Sequence, residues 1–161
     1  MVDMGISKNV LNQYTDLQQE IIETKDKIKK LENQIKKLEK RIEEIENGEI
    51  VKDKVRGGLG GIQNFTIEGI PTKEYQKKKM ELYTKKTLLE SRKDILKSLE
   101  LEILRQLSDV EEFISGLSDS HIRRIVTLRV VKNMSWNEVA DNIGGGNTED
   151  SVRMMFNRCL K

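Results

Sequence analysis

Aromatic residues make up only 4% of this 161-residue chain, and it holds one Pro, one Trp, one Cys and one His. So few bulky rings exclude the wide globular core that aromatics usually fill, and narrow apolar seams between helices suit the composition better. A single cysteine, Cys159, excludes an internal disulfide and suits a reducing compartment. One His and one Cys cannot assemble a zinc site within a chain, and His121 and Cys159 stand apart from any convergent set of catalytic groups, so no enzyme, cofactor or metal is expected. No run approaches the 18 apolar residues that a membrane span needs, and the opening MVDMGISKNV lacks the basic start and apolar core of a signal peptide. No membrane association is expected, and the location expected is the cytoplasm of a bacterial cell. Charge of one sign is missing too. The formal net charge is +2, so any contact with nucleic acid must rest on a local patch.

What is abundant is charge of both signs, 35% of residues, arranged around periodic apolar positions. From Val10 the apolar residues Tyr14, Leu17, Ile21, Ile28, Leu31, Ile35, Leu38, Ile42 and Ile45 recur at steps of three and four, with Thr24 as the one break. This is a 3.5-residue repeat over five heptads, with Tyr14, Ile21, Ile28, Ile35 and Ile42 at a and the leucines at d. Asn47 and Gly48 tolerate a left-handed C-cap, so the expected helix runs from about Ser7 to Glu46, about 60 Å at 1.5 Å per residue. Residues 7–47 thus read as a coiled-coil helix. Two partners for the seam stay open. Isoleucine at a with leucine at d favours a parallel homodimer, in which Glu20 would face Lys25, Lys27 would face Glu32 and Arg41 would face Glu46. The competitor is an antiparallel hairpin with a second long helix of the same chain.

That second helix is expected over residues 72–116, opened by Pro71-Thr72 and closed by Gly116. Tyr75, Leu82, Leu89, Leu96, Ile103 and Val110 recur every seven residues along it, while Lys78, Lys79, Lys85, Lys86, Arg92 and Lys93, interleaved with Glu74, Glu81, Glu90 and Asp94, read as a solvated face. Between the long helices, residues 48–71 form a Gly-rich linker or a small β-hairpin. The stretch VRGGLGGIQNFTIEGIP breaks helical patterning, and Val51–Val55 and Phe65–Glu68 alternate apolar with polar. A phosphate-binding P-loop is excluded, because Gly61 is followed by Ile62-Gln63 where Lys-Ser or Lys-Thr is required.

Residues 117–161 read as a three-helix helix-turn-helix module, which makes the expected fold mainly all-α. Ser118 is the expected cap of a helix to about Lys132, with Asn133 as a left-handed stop. Ser135-Trp136-Asn137-Glu138 is a capping box opening a second helix, Gly144–Asn147 a turn, and Thr148 the cap of a third helix, Glu149 to Leu160. Ile125, Leu128, Trp136, Val139, Val152 and Met155 are the expected core. The second helix of such a pair enters a major groove, so Ser151, Arg153, Met154 and Asn157 are the candidates for reading bases. Arg suits guanine, Asn suits adenine and an apolar tip suits a thymine methyl. Arg123, Arg124, Lys132, Thr148, Arg158 and Lys161 are candidates for the DNA backbone. Arg129 reads equally as a phosphate contact or an internal partner.

The stretch LSDSHIRRIVTLRVVKNMSWNEVA, Leu117 to Ala140, followed by TEDSVRMMFNRCL from Thr148 to Leu160, resembles region four of bacterial sigma factors. It is closer still to the sigma-region-four-like tails of RinA/ArpU-type late-transcription activators of Gram-positive phages. The resemblance covers about 45 residues. It implies a phage- or prophage-encoded, DNA-binding transcription regulator, with double-stranded DNA, a second copy of itself and RNA polymerase as partners. The chain departs from the family at the turn, where Gly144–Gly146 adds two residues, and at Met154 and Phe156, where relatives often carry basic and polar residues. From a different class, the chain reads as a coiled-coil adaptor, or as a small-terminase-like packaging subunit that uses the module for protein or packaging-site contact.

Overall fold

The computed structural model describes residues 4–48, 51–57, 63–69 and 72–160, with side chains placed for 8–48 and 72–160. Two 45-residue helices dominate it, α1 (Met4–Gly48) and α2 (Thr72–Gly116). Between them β1 (Val51–Gly57) and β2 (Gln63–Gly69) pair antiparallel, with Val51 opposite Gly69 and Gly57 opposite Gln63. The glycine run 58–62 falls outside the described residues. Three short C-terminal helices follow: α3 (Ser120–Val126), which continues as a π-helical turn Thr127–Val131, α4 (Trp136–Ile143) and α5 (Glu149–Cys159). The chain divides into two compact units, Met1–Glu23 with Leu96–Lys161, and Thr24–Ile95.

Within the unit Thr24–Ile95, α1 and α2 run antiparallel, and the seam is buried inside one chain. Ile28, Leu31, Ile35, Ile42 and Ile45 are 9% exposed or less, with Thr24 buried among them and Leu89 buried on α2. The seam therefore has a partner in cis, and of the two arrangements left open the structure has the intramolecular hairpin. The charges tell the same story. Glu32, Glu39 and Glu46, seven residues apart, reach Lys93, Lys86 and Lys79, also seven apart, at 3.5, 2.7 and 3.3 Å. As one series ascends the other descends, which only antiparallel helices allow. Arg41, expected to meet Glu46 across a parallel dimer, instead lies 3.4 Å from Glu74 and from Glu44. Such exposed pairs contribute little stability each, but they set orientation. Lys85 adds a hydrogen bond to Gln34 (3.0 Å). At the end of the ladder the Tyr75 hydroxyl donates to Glu46 at 2.6 Å, and Lys79 sits 4.5 Å from the Tyr75 ring centre. The Tyr75 hydrogen bond, then Lys79, hold the Glu46 carboxyl below its ordinary range.

In the other unit the first turns of α1 and the last of α2 serve as a floor for the short helices. Leu11, Tyr14 and Val110 form one apolar cluster with Val126, Val130 and Leu160. A second cluster joins Ile125 and Leu128 to Val139, Ala140 and Val152. The segment 120–131 is thus buried on two sides, which explains why Ile125 and Val126 are both fully buried although adjacent in sequence. Gln18 of α1 donates to the Val131 carbonyl at 3.2 Å, where the π turn ends.

Candidate nucleic-acid interface

Each short helix starts on a side chain that satisfies backbone donors left free by the helix geometry. Asp119 caps α3, accepting from the N–H groups of His121 (2.7 Å) and Ile122 (3.4 Å). The cap is one residue beyond the expected Ser118, because a carboxylate oxygen there reaches both amides. Ser135 caps α4 in a complete capping box: Glu138 N–H donates to Ser135 Oγ at 3.3 Å and Ser135 N–H donates to the Glu138 carboxylate at 2.7 Å. The backbone N–H and then the hydroxyl of Ser135 hold the Glu138 carboxyl below its ordinary range. Thr148 caps α5 by accepting from Ser151 N–H at 3.3 Å.

The connection between α3 and α4 is locked by one guanidinium. Asn133 takes the left-handed conformation, φ 52°, and turns the chain back. Arg129 donates to the Met134 carbonyl at 2.6 Å and lies 4.7 Å from the Trp136 ring centre, which in turn meets Phe156 edge-on at 5.1 Å. Arg129 is therefore an internal partner. Arg124, a backbone candidate from sequence, donates to the Asn142 carbonyl at 2.7 Å and ties α3 to the end of α4. The turn 144–147 holds Gly144, Gly145 and Gly146 at φ 71°, 69° and 76°. Asn147 latches it, donating to the Gly144 carbonyl at 2.7 Å and accepting from the Ser151 hydroxyl at 3.4 Å.

These locks settle which way α5 faces. Val152 is fully buried, and Met155 and Phe156 pack partly buried against the cluster of Ile125, Leu128 and Val139; Trp136 packs there as well. Arg153, Met154, Asn157 and Arg158 are exposed, Met154 to 56%. Ser151, half-buried and held by Asn147 and Thr148, lies behind them. On the preceding elements Lys132 is exposed and Arg123 is half-buried. Among the described residues, the head groups of Arg123, Lys132, Arg153 and Arg158 make no ion pair or hydrogen bond. Lys161 lies outside the described residues. Glu149 and Asp150 occupy the first turn of α5, where acids favour the helix dipole but repel a phosphate. Beside α5, Leu117, Ile122, Met155 and Cys159, with Asp119 and Arg158, line a cleft of about 410 Å³. Burial pushes the Cys159 thiol up, which favours its protonated form. Sequence reasoning missed Gln18 and Asn147. Gln18 lies 113 residues from its partner, but Asn147, next to three glycines and three residues after Gly144, carried the signature of a side chain closing a turn.

The arrangement presents two cations, an amide and an apolar tip on one rigid helix face, with two more cations on the neighbouring elements. No family model, no curated protein and no solved structure matches the chain.

Proposed function

We infer that the C-terminal segment 117–161 is a helix-turn-helix reader of double-stranded DNA and that the chain is a transcription regulator. One observation carries the reading: α5 is locked by its buried side to α3 and α4 while Arg153, Met154, Asn157 and Arg158 face outward with no internal partner. α5 fits the role of a recognition helix, with Arg153 and Asn157 offering the donor pairs that suit guanine and adenine edges, Met154 a thymine methyl, and Arg158, Lys132 and Arg123 the phosphates. Arg124, Arg129 and Ser151 act as scaffold in this reading. The likeness of Leu117–Ala140 and Thr148–Leu160 to sigma region four supports transcription over other DNA transactions.

The test is selection of duplexes from a random pool, followed by gel-shift titration across salt. A preferred sequence, with discrimination lost in Arg153→Ala and Asn157→Ala, supports the reading. Each specific contact of this kind is worth about 1–3 kcal/mol. Absence of any preferred duplex sinks it. A second reading, an adaptor that works through its long helices, draws on Met80, Tyr83, Leu88 and Ile95, which stand 43–70% exposed on α2. Capture of a protein that depends on those four side chains, with no preferred duplex, would favour it.

A further inference from the structure

The hairpin unit carries the chain's positive charge. Residues 24–95 hold 19 Lys and Arg against 13 Asp and Glu, and the remainder 10 against 14, which together make the totals of 29 and 27. On α1 the surplus is concentrated on one face. At 3.6 residues per turn, Lys30, Asn33, Lys37 and Lys40 lie opposite the buried line Ile28, Leu31, Ile35 and Ile42, with Lys29 and Lys36 beside them, and all six are exposed. The acids that could neutralise this face are drawn away: Glu32 and Glu39 turn to Lys93 and Lys86 of α2. Among the described residues none of the five lysines makes an ion pair. Asp26 bounds the patch at one end, Glu43 and Glu44 at the other.

We propose that Lys29, Lys30, Lys36, Lys37 and Lys40 form a sequence-independent contact for the phosphate backbone of duplex nucleic acid. It rests on the reading above only in taking DNA as the ligand of the chain. From Lys29 to Lys40 the face is about 16 Å long at 1.5 Å per residue. A duplex presents one phosphate per strand about every 3.4 Å of axis, so a strand offers roughly one phosphate per lysine over that length. The chemistry favours this occupant over two others. A helix that binds a membrane surface needs an apolar face to insert, and the apolar face of α1 is already buried in the hairpin. A protein interface centres on buried aromatic and arginine anchors, and this face has neither. Lysines around one asparagine, with no apolar side chain among them, suit hydrated phosphates, which position a duplex without reading it.

The experiment uses the full chain, a random-sequence duplex of 30 base pairs as probe, and fluorescence anisotropy across a salt series. All five lysines are changed to Gln in one variant and to Arg in another; both residues match Lys in helix propensity, and far-UV circular dichroism verifies the helices. Each lysine on a phosphate contributes about 0.9 to the slope of log K against log salt, so the Gln variant is expected to lose about 2 to 4 units of slope and at least roughly tenfold in affinity near 0.1 M salt. The Arg variant is expected to keep both. An unchanged slope and affinity in the Gln variant overturns the proposal, as does lysine-dependent binding to phosphatidylserine vesicles without binding to the duplex. Failure here and failure of the sequence-reading proposal separate cleanly. The lysine changes weaken selected and random duplexes alike, whereas Arg153→Ala and Asn157→Ala remove only the difference between them.

Discussion

Replacing Arg129 tests the locked geometry of the terminal helices at its most connected point. The guanidinium makes a 2.6 Å hydrogen bond to the Met134 carbonyl and stacks on Trp136 at 4.7 Å. A hydrogen bond from a charged donor is worth about 1.5–3 kcal/mol, and a half-buried cation–π contact adds about 0.5–1. Arg129→Ala is therefore expected to cost about 2–4 kcal/mol. Arg129→Lys keeps the charge but loses the planar fork and its stacking, and is expected to lie between the two. Urea unfolding followed by tryptophan fluorescence is the suitable assay, because Trp136 is the chain's one tryptophan and reports on this turn directly. A double-mutant cycle with Trp136→Phe, followed by far-UV circular dichroism in all four proteins because that change removes the one tryptophan, isolates the part of the stacking specific to the indole. An Arg129→Ala variant within about 0.5 kcal/mol of the parent, the range of ordinary surface changes, would refute the assignment of Arg129 to the scaffold and return it to the candidates for phosphate contact.

Ile35→Ala, at a position 6% exposed in the hairpin, is expected to lose about 2–5 kcal/mol. Because the seam is filled in cis, the melting temperature should not vary with protein concentration; a marked rise on concentration would point to a seam shared between copies. Gly144→Ala should destabilise by about 1–3 kcal/mol through backbone strain alone, since φ 71° with ψ −159° is a region that side chains avoid, while a Cβ there meets nothing within 4 Å. Gly116→Ala, with equally open space and no positive φ, serves as the control and should be neutral or mildly stabilising. The depressed Glu138 carboxyl contributes stability that is present above its ordinary range and is lost as pH falls through its folded value. The melting temperature of the parent relative to Glu138→Gln should therefore hold steady above about pH 5.5 and shrink on acidification below the ordinary carboxylate range; a gap that widens in acid contradicts the capping role.

The helices were legible because their signals are local. The a and d spacing of Tyr14 to Ile45, the capping box at Ser135 and the left-handed stop at Asn133 each act within a few residues. The partner of the seam was not legible from α1 alone, since Glu32 and Glu46 satisfy a parallel dimer on paper. The decisive pattern needs both helices at once: acids at 32, 39 and 46 ascending while lysines at 79, 86 and 93 descend. Read separately, the lysines of α2 look like a solvated face. The roles of Arg124 and Ser151, and the choice between the two readings of Arg129, were hidden for a different reason. A basic or hydroxyl side chain on a short helix looks the same whether it reaches solvent or a carbonyl 18 residues away, and only the fold of α3 against α4 brings the Asn142 carbonyl to Arg124.

The terminal helices are also less independent than their sequence makes them look. Their inner cluster, Ile125, Leu128, Val139, Ala140 and Val152, holds few large side chains, while Val126, Val130 and Leu160 take part of their burial from Leu11, Tyr14 and Val110 outside the segment. Burying an aliphatic side chain of this size is worth about 1.5–3 kcal/mol, so those three residues carry about 5–9 kcal/mol, of which a segment cut at residue 117 would forfeit the share that comes from α1 and α2. Even half of it is a large fraction of the whole stability expected of a domain of 45 residues, about 2–7 kcal/mol at 0.05–0.15 per residue. The orientation of α5, and with it any reading of a duplex by Arg153 and Asn157, is thus set partly by the first turns of α1. Tyr14 shows how this comes about. It belongs to the heptad seam by its spacing, yet it is buried in the cluster with Val126, Val130 and Leu160, so a position of the repeat serves as floor for the short helices.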